Sequence, residues 1–143
     1  MPWALPQPFE DLDHVTDAAV RVHGASDEEA LARLVLALGA LLAGGGRVDP
    51  VRTERVVAEG GPSRALAAVA LLREILFRFA TERLLPAAVE SARIGPDGAE
   101  AVVAFGRYDP ERHEGADVKA VTQHAARFEP DGAGWVGQAL FDL

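Results

Sequence analysis

The stretch Ser26–Leu42, SDEEALARLVLALGALL, decides the fold of this 143-residue chain. Ser26 and Glu29 have the S-x-x-E spacing of a capping box, in which each side chain satisfies a backbone amide at the start of a helix. Large aliphatic residues then recur at helical spacing, namely Leu31, Leu34, Val35, Leu38 and Leu42. The glycine run Gly44–Gly46 follows, so the pattern predicts a helix that ends there.

The segments on both sides of this helix predict strands. In the range His14–Gly24, polar and apolar residues alternate with period two, which is typical of a half-buried strand. Val51–Glu59 predicts a second strand. The break at Gly60–Pro62, with Ser63 as N-cap, predicts a second helix to about Thr81. That helix is apolar on much of its circumference, which favours a place inside the core over a partner-facing surface.

The last third of the chain predicts strands joined by tight turns. Pro96–Gly98 and Pro130–Gly132 are turn signals, each flanked by two β-forming stretches. The element order is therefore β-α-β-α-β-β-β-β. It predicts an α+β fold with two helices packed on one face of a mostly antiparallel mixed sheet. We expect a single domain over residues 1–143, with residues 1–11 as a Pro-rich N-terminal arm.

Composition and charge narrow the function classes. The chain has 22 acids against 14 Lys and Arg and a net charge of −8, which disfavours direct strong nucleic-acid binding and favours a cation or a basic protein partner. On charge alone, acidity that only keeps the protein soluble is the favoured explanation. Cysteine is absent, which excludes a disulfide framework and is compatible with the cytoplasm, the location we expect. No signal peptide and no membrane span are predicted.

Two motif-like stretches do not have the context that their chemistry needs. GAGWVG (Gly132–Gly137) has the glycine spacing of a dinucleotide-binding loop but leads into a strand, so a turn is predicted. HEGAD (His113–Asp117) begins like a zinc-protease motif. Asp117, however, stands at the position of the second histidine, and Gly115 opposes the required helix.

The histidines leave an enzymatic alternative open. A stand-alone metal-assisted hydrolase would use His113, Glu114 and His124, although neighbours on an extended chain point to opposite faces. His124 also shares a predicted strand face with apolar residues such as Phe128, which predicts that it packs inward. A small-molecule-binding α+β module is a further alternative, and a large apolar cavity between helix and sheet would favour it.

Three segments together resemble the archease family: LDHVTDAAV (Leu12–Val20), DPERHEGADVKAVTQH (Asp109–His124) and LFDL (Leu140–Leu143). The resemblance covers about Leu12–Leu143 and so indicates one archease-like domain. It implies a small α+β protein that is not an enzyme itself. Such proteins assist the RtcB-type RNA ligase in tRNA splicing and RNA repair, by promoting guanylylation of the ligase and its multiple turnover.

The resemblance further implies a bound divalent cation, calcium in particular, at Asp17, Asp142 and Leu143. Calcium takes oxygen ligands, which the two carboxylates and the backbone and terminal oxygens of Leu143 would supply. If Asp17 and Asp142 hold one ion, the last strand must lie close to the first. We therefore expect these two strands to be neighbours in the sheet.

Partner-binding residues are also implied. The family's lysine falls on Lys119 and an acid after the first helix falls on Asp49, while His113 and Glu114 belong to a polar loop that we expect to contact a partner. The late block departs from the family pattern at Gln123, among other positions. The first segment departs at Val15 and Thr16, and Ala125 also differs. These departures concern partner specificity and leave the acids Asp17 and Asp142 in place.

Overall fold

The computed structural model describes residues 3–12 and 17–143. The described chain forms, in order, β1 (Trp3–Ala4), β2 (Glu10–Leu12), β3 (Asp17–Gly24), α1 (Asp27–Ala43), β4 (Pro50–Glu59), α2 (Arg64–Glu82), β5 (Leu84–Gly95), β6 (Gly98–Arg107), β7 (Ala120–Asp131) and β8 (Gly134–Asp142). The predicted start of the first strand at His14 lies outside the described residues.

The strands form two four-stranded sheets. One has the order β1-β5-β6-β4 and the other β2-β3-β8-β7, and every pairing in both is antiparallel. The predicted α+β class with two helices is confirmed. The sequence predicts a single sheet, whereas the structure divides the strands between two sheets. The division has a physical reason. Both helices have apolar residues on several sides, and one sheet would leave part of this apolar surface exposed to water.

The first helix begins and ends where the sequence predicts. The Ser26 hydroxyl accepts a hydrogen bond from the Glu29 amide at 3.1 Å. The Glu29 carboxylate accepts one from the amide of Ala25, one residue before the N-cap, at 2.9 Å. Gly44 terminates the helix in the left-handed conformation with φ of 63°, and its amide donates to the Ala40 carbonyl at 2.9 Å. Both ends therefore satisfy backbone groups that the helix leaves unpaired.

Both helices contact both sheets. Helix α1 packs on β5 of one sheet and on β3 and β8 of the other, and α2 packs on β7 as well as on β4, β5 and β6. Large aliphatic residues fill the space between them; examples are Leu34, Leu38, Leu71 and Leu72, all fully buried. The predicted core position of the second helix is thus confirmed. Neither helix among the described residues offers the length of apolar surface that a membrane span requires.

Strand β7 contains a bulge that overturns one expectation. Its register with β8 jumps between Thr122 and Arg127, and Ala125 inside the jump has a φ of 58°. Val121 and Phe128 are both buried although they are seven residues apart, which a regular strand of period two does not allow. His124 was predicted to pack inward and is instead exposed, because the bulge interrupts the alternation on which that prediction depended.

The N-terminal arm lies against the domain. Strand β1 pairs with β5, with Trp3 opposite Val89, and the Leu5 amide donates to the Ala87 carbonyl at 3.1 Å. The Trp3 indole donates to Glu29 of α1 at 3.4 Å. The arm thus covers part of the β5 edge of its sheet.

Candidate metal and partner-binding site

The two acids of the predicted metal site lie directly opposite each other. Asp17 is the first residue of β3 and Asp142 the last residue of β8, and the antiparallel register pairs them. Opposed residues of an antiparallel pair project to the same face, with Cβ atoms about 4.5–5.5 Å apart. The expectation that the first and last strands are neighbours is confirmed. Asp17 is half-buried, whereas Asp142 and Leu143 are exposed.

Lys119 lies at the same end of this sheet. Its backbone amide donates to the Asp142 carbonyl at 2.8 Å, and the next residue, Ala120, is the register partner of Asp142 on β7. The Lys119 side chain is exposed, as predicted for an outward lysine. Three of the residues implied by the resemblance are therefore brought together by β3, β8 and the entry to β7.

The C-terminal end of α1 lies at this end of the molecule too. Only Ala25 and Ser26 separate β3 from α1, and the helix packs back along the strand. The helix is about 25 Å long and the strand about 26 Å, so the end of α1 is level with Asp17. The loop after β6 closes on it: the Ala116 amide donates to the Leu41 carbonyl at 2.8 Å. Gly115 lies so close to this carbonyl that any side chain there would clash with it.

The structure buries His113, which the sequence analysis assigned to a partner-contacting loop. It is 2% exposed. Its Nδ1 accepts the Asp109 backbone N–H at 2.9 Å, and its Nε2 donates to the Arg47 carbonyl at 2.8 Å. Its side chain is therefore not available to a partner. A ring with both nitrogens bonded to backbone groups also cannot serve as a general base on a substrate.

Asp49 forms ion pairs with two arginines. Its carboxylate accepts hydrogen bonds from Arg47 Nε at 2.8 Å and from Arg112 Nη1 at 3.1 Å. The hydrogen bond from Arg47 is the largest cause that holds the pKa of Asp49 below its ordinary range, with Arg112 adding to it. All three side chains are exposed at the surface. Asp49 thus joins the loop after α1 to the loop that contains His113.

Glu114 and His124 do not complete a catalytic constellation with His113. Glu114 is exposed, and His124 is exposed on the β7 bulge, whereas His113 is buried beneath its loop. Among the described residues, moreover, no three His, Cys, Asp or Glu side chains are close enough to hold a metal ion. The hydrolase alternative therefore receives no support from the geometry.

The Asp17–Asp142 pair nevertheless fits a calcium ion in the chemistry of its donors. Two carboxylates on the same sheet face are two oxygen donors for a hard cation, and calcium fills the rest of its coordination shell from backbone carbonyls and water. Residues 13–16, directly before Asp17, lie outside the described part of the chain. A Leu143 backbone oxygen would lie one residue beyond Asp142.

A cavity of about 530 Å³ lies beside this end of the molecule. The N-terminal arm, the last turn of α1, the loop before β4 and the start of β5 enclose it. Its walls are mostly small and apolar, with Ala4, Leu5, Ala43 and Ala88 among them, and Asp49 also lines it. Its volume lies in the range of ligand pockets.

Three residues that organise the two loops were not among the predicted site residues: Arg47, Arg112 and Asp109. Asp109 accepts the Glu111 amide at 3.0 Å through its side chain and the His113 amide at 2.7 Å through its carbonyl. A D-P-x-x start is a turn signal, and this one could have placed Asp109 at the head of a tight turn. The pairing of Arg112 with Asp49 joins residues 63 positions apart, and no local pattern indicates it.

The fold and the site define a small α+β protein with a pair of acids at one end. The archease protein family matches residues 9–143, and the chain belongs to this family. The protein archease of Methanopyrus kandleri is 32% identical over 140 residues, which cover 95% of this chain and 99% of that protein. The protein archease of Pyrococcus furiosus is 28% identical over 141 residues, covering 94% and 98%.

Solved structures share the fold. The solution structure of a Methanobacterium thermoautotrophicum protein matches with a TM-score of 0.71 at 21% identity, covering 94% of this chain and 98% of that one. The crystal structure of an archease from Thermotoga maritima, described as a possible chaperone, matches with a TM-score of 0.64 at 22% identity, covering 94% and 96%.

Proposed function

We propose that this protein is a cofactor of an RtcB-type RNA ligase, which it activates by promoting guanylylation of the ligase and hence its multiple turnover. The ligase would act in tRNA splicing or RNA repair, in the cytoplasm. Membership of the archease family supports this role. The geometry supports it as well, because no catalytic constellation is assembled from His113, Glu114 and His124.

One observation carries the proposal. Asp17 on β3 and Asp142 on β8 are opposed in the strand pair, and the Lys119 amide donates a hydrogen bond to the Asp142 carbonyl. This juxtaposition unites residues from the start, the last third and the end of the chain. Sheet formation alone does not require two like charges at opposed positions, which destabilise a strand pair. Cation binding by Asp17 and Asp142 would explain why two acids occupy opposed positions.

The metal part of the proposal assigns Asp17, Asp142 and a Leu143 oxygen as ligands of a divalent cation, with calcium as the ion that suits these donors. When bound, the cation neutralises the repulsion between the two carboxylates. The chain itself holds the acids in register through the β3–β8 pairing. Lys119 and Asp49, exposed at the same end, would contact the ligase, and exposed Glu114 lies in the loop that leads from β6 to Lys119.

The test is an RNA-joining assay with purified ligase and RNA in large excess over the ligase. We expect the ligase alone to stop after about one turnover and to continue when this protein is added. The protein alone should join no RNA. An unchanged rate and extent of joining at a stoichiometric excess of this protein would refute the proposed function.

The cavity beside the arm favours a second candidate, a small-molecule-binding module. Its apolar walls and its volume of about 530 Å³ suit a small apolar ligand. A thermal-shift screen with apolar compounds tests it, with Ala88→Met as the variant whose larger side chain fills the cavity. A compound that stabilises both proteins equally does not bind there.

A further inference from the structure

His113 is the one polar side chain that the described residues bury completely. It belongs to neither the Asp17–Asp142 pair nor the exposed surface. A buried polar group is costly unless its hydrogen bonds are satisfied, so its partners indicate its purpose. These partners are the Asp109 amide within its own loop and the Arg47 carbonyl in the loop after α1.

The two hydrogen bonds fix the state of the ring. An amide N–H can only donate, so Nδ1 must present a lone pair to Asp109 at 2.9 Å. A carbonyl can only accept, so Nε2 must carry the proton that it shares with Arg47 at 2.8 Å. The structure thus assigns a neutral imidazole with its proton on Nε2.

Packing holds the ring in this orientation. The Tyr108 ring lies against it with centroids 5.8 Å apart, and Phe79 packs edge-on against Tyr108 at 5.3 Å. On another side, a Cβ atom at Gly46 would come within 2.8 Å of His113 Cδ2. A side chain at residue 46 would therefore displace the ring or the loop. The site is built for this histidine.

The two loops that the ring joins carry the partner-contacting residues of the proposed function. The first contains Arg47 and Asp49. The second contains Arg112, which reaches Asp49 at 3.1 Å, and continues to Lys119 at the entry of β7. The buried hydrogen bond from His113 to Arg47 and the exposed ion pair from Arg112 to Asp49 connect the same two loops, one beneath the other.

We infer that His113 is a positioning residue that holds the Asp49 loop and the Lys119 loop in one arrangement, and that protonation of its ring releases them. The inference rests on the proposed function for its consequence, since the fixed loops would present Asp49 and Lys119 to the ligase together. Acidification should then weaken activation of the ligase by this protein.

Protonation of the ring would break the hydrogen bond that Nδ1 accepts from the Asp109 amide. An imidazolium donates from both nitrogens, so its Nδ1–H would face the Asp109 N–H, donor against donor. No carboxylate among the described residues is bonded to the ring to balance the new charge. The ring contacts the Tyr108 ring, the Gly46 backbone, the Arg47 carbonyl and the Asp109 amide. The charged side chains around it are those of Arg83, which lies over Tyr108, and of Asp109, Arg112, Arg47 and Asp49.

The first test needs no ligase. Nitrogen-15 spectra of the imidazole should show a proton on Nε2 and none on Nδ1 at about pH 7.5, and the pH is then lowered until Nδ1 also carries a proton. Over this range, the amide signals of Arg47, Asp49, Arg112 and Lys119 should shift or broaden. His113→Gln keeps a donor for the Arg47 carbonyl and cannot titrate, so its signals should stay in place. Equal movement in both proteins overturns the inference.

The second test measures ligase turnover with wild type, His113→Gln and His113→Phe. His113→Phe keeps an aromatic ring but leaves the Arg47 carbonyl and the Asp109 amide without partners, so activation should fall about tenfold. His113→Gln should retain most activation and should lose less of it than wild type at the lower pH. Far-UV circular dichroism checks that both variants fold.

The outcomes separate the two claims. If wild type does not stimulate the ligase at any pH, the proposed function fails, and the spectra still decide the role of His113. If wild type and folded His113→Phe stimulate equally, or if His113→Gln has the same pH profile as wild type, the inference is wrong and the proposed function stands.

Discussion

Asp17 and Asp142 stand at opposed positions of an antiparallel strand pair, where two like charges repel. A cation bound between them would be linked to folding, because an ion that binds the folded state stabilises it by mass action. Calcium should therefore raise the melting temperature. Asp142→Ala and Asp17→Ala should each abolish this rise.

Asp131→Ala is the matched control for this prediction. Asp131 is also an exposed acid of the β7–β8 hairpin, but it lies at the turn and Asp142 at the open end. This variant should keep the calcium shift. Calorimetry that finds equal calcium binding in wild type and in Asp142→Ala would contradict the assigned site.

Lys119 is the chain's single lysine and is exposed. Lys119→Ala should leave the free energy of unfolding within about 0.5 kcal/mol of wild type, because truncation of an exposed side chain costs little. It should weaken ligase activation in the turnover assay. Arg127→Ala, which removes an exposed cation on β7, the strand that follows Lys119, should not. Full activation by Lys119→Ala would make this lysine an ordinary surface residue.

At the residue scale, chemistry and the family resemblance predicted the meeting of Asp17 and Asp142 correctly. The same approach misplaced two histidines. His113 is buried because the Arg47 carbonyl, 66 positions earlier, comes to its ring, and nothing in the local sequence indicates that partner. His124 is exposed because an irregular bulge precedes Phe128, and an alternation pattern contains no sign of a bulge.

The capping box of α1 makes a pH prediction at the element scale. The backbone amide of Ala25 is the largest cause that lowers the pKa of Glu29 below its ordinary value of 4.5. A lowered carboxyl pKa contributes stability that is fully present above about pH 4.5 and is lost as the pH falls through the folded-state value. Glu29→Gln should therefore show a smaller loss of stability below about pH 4.5 than wild type.

Urea unfolding at a series of pH values measures this effect. At neutral pH, Glu29→Gln should cost about 1 kcal/mol or less, because the amide oxygen still accepts a hydrogen bond. Glu28→Gln, at the neighbouring exposed position, should leave the pH dependence as in wild type. If the free energy of unfolding depends on pH identically in all three proteins, the Ala25–Glu29 hydrogen bond does not stabilise the helix as proposed.

The β7 bulge makes a second element-scale prediction. Ala125 has a φ of 58°, a conformation that costs a residue with a Cβ atom about 1–2 kcal/mol. Ala125→Gly should raise the free energy of unfolding by up to about 1 kcal/mol, after the larger entropy of glycine in the unfolded chain is subtracted. Ala126→Gly, next to it and without a positive φ, should lower it. A destabilised Ala125→Gly would contradict this explanation.

Helices and hairpins were the predictable elements. Ser26 and Ser63 are the observed N-caps and Gly44 ends α1, because capping depends on residues within one turn of the helix. The turn after β5 lies at Pro96–Asp97, as the sequence indicates. Residues 1–11 were predicted as an arm without strands, and the structure places β1 and most of β2 in this range. Strands of two and three residues are too short to show an alternation pattern.

At the scale of the whole molecule, the division into two sheets could not be predicted from local patterns. It depends on which distant strands pair, and β3 pairs with β8 across 117 sequence positions at Arg21 and Gln138. Only the requirement that Asp17 and Asp142 share an ion predicted that pairing. The same pairing brings Asp17 and Asp142 together at one pole of the molecule, where the Lys119 amide is hydrogen-bonded to Asp142 and α1 ends. This pole is the surface that we propose for the ligase.

Formation of the guanylylated ligase tests the central claim most directly. Ligase that has completed one turnover is incubated with labelled GTP and divalent cation, and the labelled protein is measured with time, with and without this protein. We predict rapid labelling when this protein is present in substoichiometric amounts, little labelling without it, and a marked loss of the effect with Asp142→Ala. Equal labelling in the presence and absence of wild-type protein would contradict the account.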